Sequence, residues 1–387
     1  MSIPFSQPMI HEDAYLAIKE VVDGGWLTSA KKCLEFEKVL NEYLQVPDNV
    51  VVNSATAGLH LALASLELQP EDEVIVPSYT FAATAEVVGY VRAKTVFADV
   101  GENYNIRVED IAQVVTENTK VVMVVHMAGY PCDMDAILAY CNERDIKVIE
   151  DAAHAFGSLY KGKTIGSLDS YATVFSFYAN KCITTGEGGS ITSPSSELLA
   201  RLRKLRLHGI TRDVTARFTD TKALPTYDID EVGYKYNLTD ICAAIGISQV
   251  AHADEMLKSR REAVMLYYRY LSPLAEKGWI SLPHLLDGLD EGTESSYHLF
   301  MIQVLGGKRD ALAAHLREQE IGTSIHYTPV PMLTAYNHLP AVSKNAIKLF
   351  ENELTLPLFS GMTASQVTTV CMKIWTFLGL SMATTTL

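Results

Sequence analysis

The stretch VFSFYANKCITTGEGG, residues 174–189, decides how this chain is read. An apolar run of β-branched and aromatic residues leads to Lys181, and a glycine-rich loop ending at Gly188 and Gly189 follows. The pattern describes a buried strand that delivers a lysine into a turn. Lysine is seldom fully buried, but an amine in an apolar pocket has a lowered pKa and is nucleophilic toward an aldehyde. For an isolated lysine, a surface position beside a hairpin would be the better reading. Ser176 shifts the balance, since its hydroxyl can hold a phosphate and the glycines allow close backbone approach.

Outward from this stretch, short β-branched runs recur at residues 50–53, 73–76, 94–98, 120–126 and 147–150, then at 172–176 and 190–192. Amphipathic segments such as 57–66, 82–91 and 134–144 lie between them. Alternating strands and helices with nearly all-apolar strands predict an α/β fold whose mostly parallel sheet is covered on both faces. Ligands of such sheets bind beyond the C-terminal strand ends. Residues 196–260 read as mainly helical, broken by the polar stretch 211–232. From about 265 onward, helix-like segments alternate with strand-like runs such as 298–304, which fits a smaller α+β domain. No internal repeat or low-complexity segment is seen.

Two further strand ends carry candidate chemistry. The first strand runs into Ser54-Ala55-Thr56-Ala57-Gly58 ahead of a helix-like segment. Free amides at a helix N-terminus favour an anion, and Thr56 adds a hydroxyl; an ordinary helix cap explains the same residues equally well. A later strand ends in Glu150-Asp151-Ala152-Ala153-His154. It places at least one carboxylate in the ligand crevice, where a cationic partner is needed; a helix-capping aspartate is the competing reading. Taken together, the pieces describe a pyridoxal 5'-phosphate pocket. Lys181 supplies the amine for a Schiff base and Asp151 the acid for the ring nitrogen. Residues 54–58 with Ser176 supply the phosphate nest, and Phe81, within PSYTFAAT (77–84), a flat group over the ring.

Composition bounds the alternatives. At roughly 100–200 residues per domain, 387 residues allow two or three domains. No run approaches the ~18 apolar residues of a membrane span, and the N-terminus lacks the pattern of a signal peptide, so the expectation is a cytoplasmic protein with no membrane partner. The 32 Lys and Arg against 46 Asp and Glu, a net charge of −14, argue against nucleic acid. Six scattered cysteines without a CxxC or Cys/His cluster predict neither a disulfide framework nor a zinc site, and no metal is expected. His60 reads as a packed core residue. His298, Trp26 and Tyr336 fit structural and functional readings equally, and Arg206 or Arg212 could meet a diphosphate or a glutamate carboxylate.

The chain resembles the DegT/DnrJ/EryC1/StrS family of nucleotide-sugar aminotransferases. The resemblance runs from Pro4 to about Thr363 through PFSQP, GGWLTS, NSATAGLHLAL, DEVIVPSYTFAAT, VIEDAAHAFGS, FSFYANKCITTGEGG, GYKYNLTDICAAIG, IGTSIHYTP and LPLF. The EDAAHA and GYKYNLTD forms are most similar to the branch that makes UDP-4-amino-4-deoxy-L-arabinose for lipid A modification.

The resemblance implies fold type I, with residues 1–250 as a large cofactor-binding α/β domain with an N-terminal arm and 251–387 as a small α+β domain. It implies that Lys181 forms the Schiff base and shuttles a proton, that Asp151 holds the ring nitrogen protonated, and that His154 lies near the ring oxygen. Thr56, Ala57 and Ser176 would hold the phosphate and Phe81 would stack. Asn237 and Lys235 would reach the phosphate of a dimer partner, making composite sites. Trp26, Thr28, His208, Arg212, His326 and Tyr327 would face the nucleotide sugar. Departures are Lys235 where many relatives have Asn, Ser29-Ala30-Lys31 in place of a Gly-Pro, and a tail, SMATTTL, without counterpart.

The expected activity is transfer of an amino group from glutamate to a 4-keto, or less closely a 3-keto, nucleotide-linked sugar in surface-polysaccharide, lipid A or related amino-sugar biosynthesis. Two alternatives stand beside it. One is the family's deoxygenating dehydratase branch, in which a histidine replaces the lysine. The other is a non-catalytic binding or regulatory protein on the same fold.

Overall fold

The computed structural model of the chain describes residues 2–211, 226–283 and 290–382. Arg212 lies outside the described residues, as does the end of the tail. The first helices, α1 (Glu12–Gly24) and α2 (Lys31–Leu44), precede an α/β succession. It comprises β1 (Asn49–Val52), α3 (Ala55–Ala64), β2 (Glu73–Pro77), α4 (Ala83–Tyr90), β3 (Lys94–Ala98), α5 (Val108–Ala112), β4 (Thr119–Val125), α6 (Met134–Asn142) and β5 (Lys147–Asp151). A small hairpin, β6 (Leu159–Tyr160) and β7 (Lys163–Thr164), leads to β8 (Ala172–Ser176), β9 (Gly189–Thr192) and α7 (Ser196–Leu205).

These strands make one seven-stranded sheet in the order β1-β9-β8-β5-β4-β2-β3. Within it β9 runs antiparallel to both neighbours, and the other pairings are parallel. Strands β1, β8 and β9 are buried along their whole length, and the two hydroxyls of β9 are paired there, Ser190 with Asn49 Oδ1 and Thr192 with the Gly166 carbonyl, both at 2.8 Å. Helices cover both faces. Leu59, Leu61, Leu63 and Leu202 pack with Val50, Val74 and Val174 on one side, and Phe36, Leu40, Ile137 and Met256 with Val51, Val124 and Phe175 on the other.

Helix α8 (Asp240–Ala251) runs almost directly into α9 (Ala253–Glu276). A second, three-stranded antiparallel sheet follows, formed by β10 (Ile280–Ser281), β11 (Phe300–Val304) and β12 (Glu353–Leu356). With α9, α10 (Arg309–Glu318) and α12 (Ala364–Phe377) it encloses a separate core of Tyr267, Phe300, Ile302, Leu312 and Ile374; α11 (Lys344–Asn352) leads into β12. The N-terminal arm joins this second core, because Ile3 bridges to Ile321 and is buried there. No helix among the described residues is long and apolar enough to cross a membrane.

The C-terminal ends of β4 and β5 are locked to the start of β8 by a buried polar network. His126 Nδ1 accepts from the Cys132 amide at 3.1 Å, so its proton sits on Nε2, 2.8 Å from Glu150 Oε2. Thr173 Oγ1 donates to the other Glu150 oxygen at 2.7 Å. Both His126 and Glu150 are fully buried, and every polar atom in the pair is engaged. Glu150→Ala would leave that imidazole N–H and hydroxyl buried and unpaired. The expected cost is about 3–5 kcal/mol, read as a lowered midpoint in thermal or urea unfolding.

Candidate active site

A cavity of about 400 Å³ opens beyond the C-terminal ends of β1, β2, β4, β5 and β8. This is where a parallel sheet with helical crossovers leaves its loops free to hold a ligand. Thr56, Phe81, Asp151, His154, Ser176, Lys181, His326 and Tyr327 all line it. Of the acidic pair on β5, period-two alternation sends Asp151 into the cavity and Glu150 to His126.

Lys181 stands half-buried in the turn after β8. Burial lowers its amine to a pKa of about 8, partly opposed by the charge of Asp151. Asp151 itself is buried, and burial raises its pKa against several stabilising neighbours. Thr84 Oγ1 donates to Oδ2 at 2.8 Å, the Ala153 amide to Oδ1 at 3.1 Å, and Lys181 adds its charge. Thr84, in turn 2.8 Å from the Thr80 hydroxyl, was not singled out from sequence. Its position in the first turn of α4, the helix that follows β2, was the available signal.

The phosphate-nest candidates divide. Ser54 caps α3 by accepting from the Ala57 amide at 3.1 Å, so that amide is already engaged. Ala55 and Thr56 precede any intrahelical acceptor, and both line the cavity with Ser176. The approach of β9 to this turn needs glycine at 189, where a Cβ would come within 2.8 Å of the Ala55 nitrogen and 2.7 Å of the Phe175 oxygen. Gly58 serves similarly, since a Cβ there would meet Val174 Cγ1 at 2.7 Å.

His154 Nδ1 accepts from the Ala128 amide at 3.3 Å, which puts the proton on Nε2, 3.0 Å from the Tyr327 hydroxyl. Burial, then the charges of Lys181 and His326, hold this imidazole well below its ordinary pKa, so it is a neutral donor. Phe81 is exposed and its ring centroid stands 5.6 Å from that of Tyr327. His298 is buried with its ring centroid 4.4 Å from that of His154 and does not line the cavity.

Beneath His326 lies a carboxyl that sequence reading missed. Glu353 Oε2 accepts from the His326 amide at 2.9 Å, and Thr355 Oγ1 bonds the other oxygen while standing 2.9 Å from His326 Nδ1. Burial pushes Glu353 up to about 8 from 4.5. The folded state therefore holds this proton more tightly than the unfolded chain. The associated stability is complete below pH 4.5 and is lost as pH rises through about 8. Glu353→Gln is expected to flatten that slope and to gain stability relative to the parent near pH 8, read by urea titrations across the window.

Several candidates fall outside the cavity. Trp26 is half-buried, while Thr28 and His208 are exposed, and none of the three lines it. Arg206 proves structural, donating to Glu37 Oε1 and to the Val51 carbonyl, both at 2.6 Å. Tyr336 packs edge-on against Phe97, and His60 bonds the Tyr236 hydroxyl at 3.0 Å. Asn237 donates to Ser29 Oγ at 2.7 Å and accepts from Lys235 Nζ; neither residue lines the cavity of its own chain.

The sheet order, with β9 reversed, and a lysine facing a buried carboxylate at the strand ends define a fold type I transferase. The family model of the DegT/DnrJ/EryC1/StrS aminotransferase family matches residues 8–375, and the chain belongs to that family. It is 40% identical over 374 residues to the uncharacterized protein MJ1066 of Methanocaldococcus jannaschii, covering 94% of this chain and 95% of that one. It is 36% identical over 377 residues to the spore coat polysaccharide biosynthesis protein SpsC of Bacillus subtilis, covering 94% of each. Among solved structures, the putative sugar aminotransferase Spr1654 of Streptococcus pneumoniae in its PMP form superposes with a TM-score of 0.89 at 34% identity, covering 97% of this chain and 98% of that one. The same protein in its PLP form gives 0.88. The chain is thus a sugar aminotransferase by family, and the family is pyridoxal phosphate-dependent.

Proposed function

We propose that the protein transfers an amino group from glutamate to a 4-keto nucleotide-linked sugar, using pyridoxal 5'-phosphate held at Lys181. The observation that carries this reading is one cavity containing both a half-buried amine with a pKa of about 8 and a buried carboxylate. The residues present fit the cofactor. Asp151 is a costly buried carboxylate that a protonated ring nitrogen would satisfy, and Asn180 offers a buried side-chain oxygen without a partner at the same cavity. When bound, the cofactor supplies an electron sink and carries the amino group between donor and acceptor.

In this reading Lys181 Nζ holds the cofactor and then moves a proton to and from the reacting carbon, for which a pKa of about 8 is well placed. Asp151 keeps the ring nitrogen protonated, and Thr84 fixes which oxygen faces it. The Ala55 and Thr56 amides, the Thr56 hydroxyl and Ser176 receive the phosphate. Phe81 would cover the ring, and His154, whose Nε2–H donates to the Tyr327 hydroxyl, would lie on the side of the ring oxygen. His326 and Tyr327 form the sugar side, with Trp26, Thr28 and His208 contributing from loops or from the second subunit; Arg212, outside the described residues, remains a candidate from sequence.

A homodimer is part of the proposal. Lys181 is the one Lys or Arg lining the cavity among the described residues. Two phosphorylated ligands therefore call for groups from a partner, and Lys235 with Asn237 are placed away from their own cavity to serve there. The site of action is the cytoplasm and the product an amino sugar for a surface polysaccharide or related glycan, which the likeness to SpsC supports. The test is a panel of keto nucleotide sugars, hexoses and pentoses with the ketone at C3 or C4, incubated with glutamate and read by product mass. Gain of an amine supports the reading, and loss of a hydroxyl would assign the dehydratase branch.

A further inference from the structure

Outside the cavity lining, His11 at the start of α1 and His252 between α8 and α9 stack their rings, with centroids 3.7 Å apart and planes 12° from parallel. Both nitrogens of His11 are sequestered from solvent and have no hydrogen-bond partner among the described residues. An imidazole has at least one N–H to donate and, when neutral, one lone pair to offer, so this is an unsatisfied group that calls for a ligand. His252 is flanked by two carboxylates. Its Nε2 lies 3.4 Å from Asp13 Oδ1, and its Nδ1 lies 3.9 Å from Glu255 Oε2.

The second distance is too long for a hydrogen bond but close to what a shared cation requires. Ligands at about 2.1 Å around a tetrahedral metal stand roughly 3.4 Å apart. One ligand atom each from His11, His252 and Glu255 lies within 4.8 Å of the other two. Asp13 completes the arrangement from behind, because a metal-bound imidazole commonly donates its other N–H to a carboxylate, fixing the tautomer and raising the basicity of the ligating nitrogen.

We propose that His11, His252 and Glu255 bind a divalent first-row transition metal of the zinc, cobalt or nickel class, the His11 ring turning out of the stack so that each lone pair meets the metal in its ring plane, with Asp13 as the outer partner of His252 and water in the open position. Two imidazoles and one carboxylate favour these ions over calcium or magnesium, which take all-oxygen shells. The site clamps the arm that precedes α1 onto the α8–α9 junction. The same junction reaches the Lys181 loop, for Gln249 Nε2 donates to the Met9 carbonyl at 2.8 Å and its Oε1 accepts from the Thr184 amide at 3.1 Å. The role is structural, a staple for the arm that also packs Phe5 against His326.

The test uses untagged holoenzyme freed of metal by a chelator and titrated with cobalt(II) alone, reading ligand-field absorbance. Saturation at one cobalt per chain is expected, with affinity falling at least ~10-fold in His11→Gln, His252→Gln and the surface variant Glu255→Gln, and by ~10–100-fold in Asp13→Asn. Zinc should raise the thermal unfolding midpoint of the parent and not of the histidine variants, while calcium changes neither. Circular dichroism confirms that the variants are folded, and the two carboxylate variants, which alter exposed side chains, keep the test decisive if a histidine variant is not. Absence of a ligand-field band in the parent, or equal affinity in parent and variants, would overturn the proposal.

Discussion

Lys181→Ala is expected to abolish amino transfer, by at least the ~10²–10⁴-fold that a positioned proton carrier supplies. It should also remove the absorbance of lysine-bound cofactor. β8 is buried along its length, so the chain leaves the sheet at Ser176 with little freedom, and the turn projects Lys181 against Asp151. Because burial lowers the amine to about 8, the fraction present as free base rises with pH and levels off above that value. Cofactor-free protein is therefore expected to capture pyridoxal phosphate faster as pH rises through about 8. The Lys181→Ala protein should bind it without covalent attachment at any pH. Full activity in the alanine variant would remove the lysine from the mechanism.

Asp151→Asn is expected to cost ~10²–10³-fold in turnover, the order of one preorganised electrostatic contact, with little loss of stability. The amide retains the volume of the carboxyl, and its oxygen can still accept from Thr84 or Ala153. What disappears is the negative charge that would favour a proton on the ring nitrogen. Unfolding should be unchanged or slightly improved, because a buried charge is removed from a site that disfavours it. Separating the two readouts matters, since a structural aspartate would lose stability along with activity. Thr84→Val, which removes the hydroxyl that orients the carboxylate, is expected to lower turnover more modestly through the same residue.

Much of the fold was legible because the sheet is buried on both faces. The runs at 50–53, 73–76 and 120–126 have no polar side to hide, and the structure places strands there within one or two residues. The antiparallel direction of β9 was not legible, for a four-residue strand, here Gly-Ser-Ile-Thr, carries no pattern that marks its direction. In the candidate site, Asp151 and Ser176 end their strands and Thr56 and Lys181 lie in the turns that follow, so local pattern alone brings them to one crevice. Residues that act through distant partners stayed hidden. Glu353 looks like an ordinary acid after a helix, and only the packing of β12 under His326 makes it a buried carboxyl. The Arg206 guanidinium lies near the substrate loop in sequence, yet α7 turns it back to Glu37 and the end of β1. His11 and His252 are joined only by the fold.

The measurement that bears most directly on the assigned chemistry follows the nitrogen itself. Purified holoenzyme is incubated with glutamate carrying heavy nitrogen and with each keto nucleotide sugar in turn, and both products are weighed by mass spectrometry. The account predicts 2-oxoglutarate and an amino sugar bearing the heavy nitrogen for at least one 4-keto substrate, with neither formed by Lys181→Ala. Heavy nitrogen that stays on glutamate across the panel, while the cofactor remains attached at Lys181, would contradict it and leave a cofactor-binding protein without transferase activity.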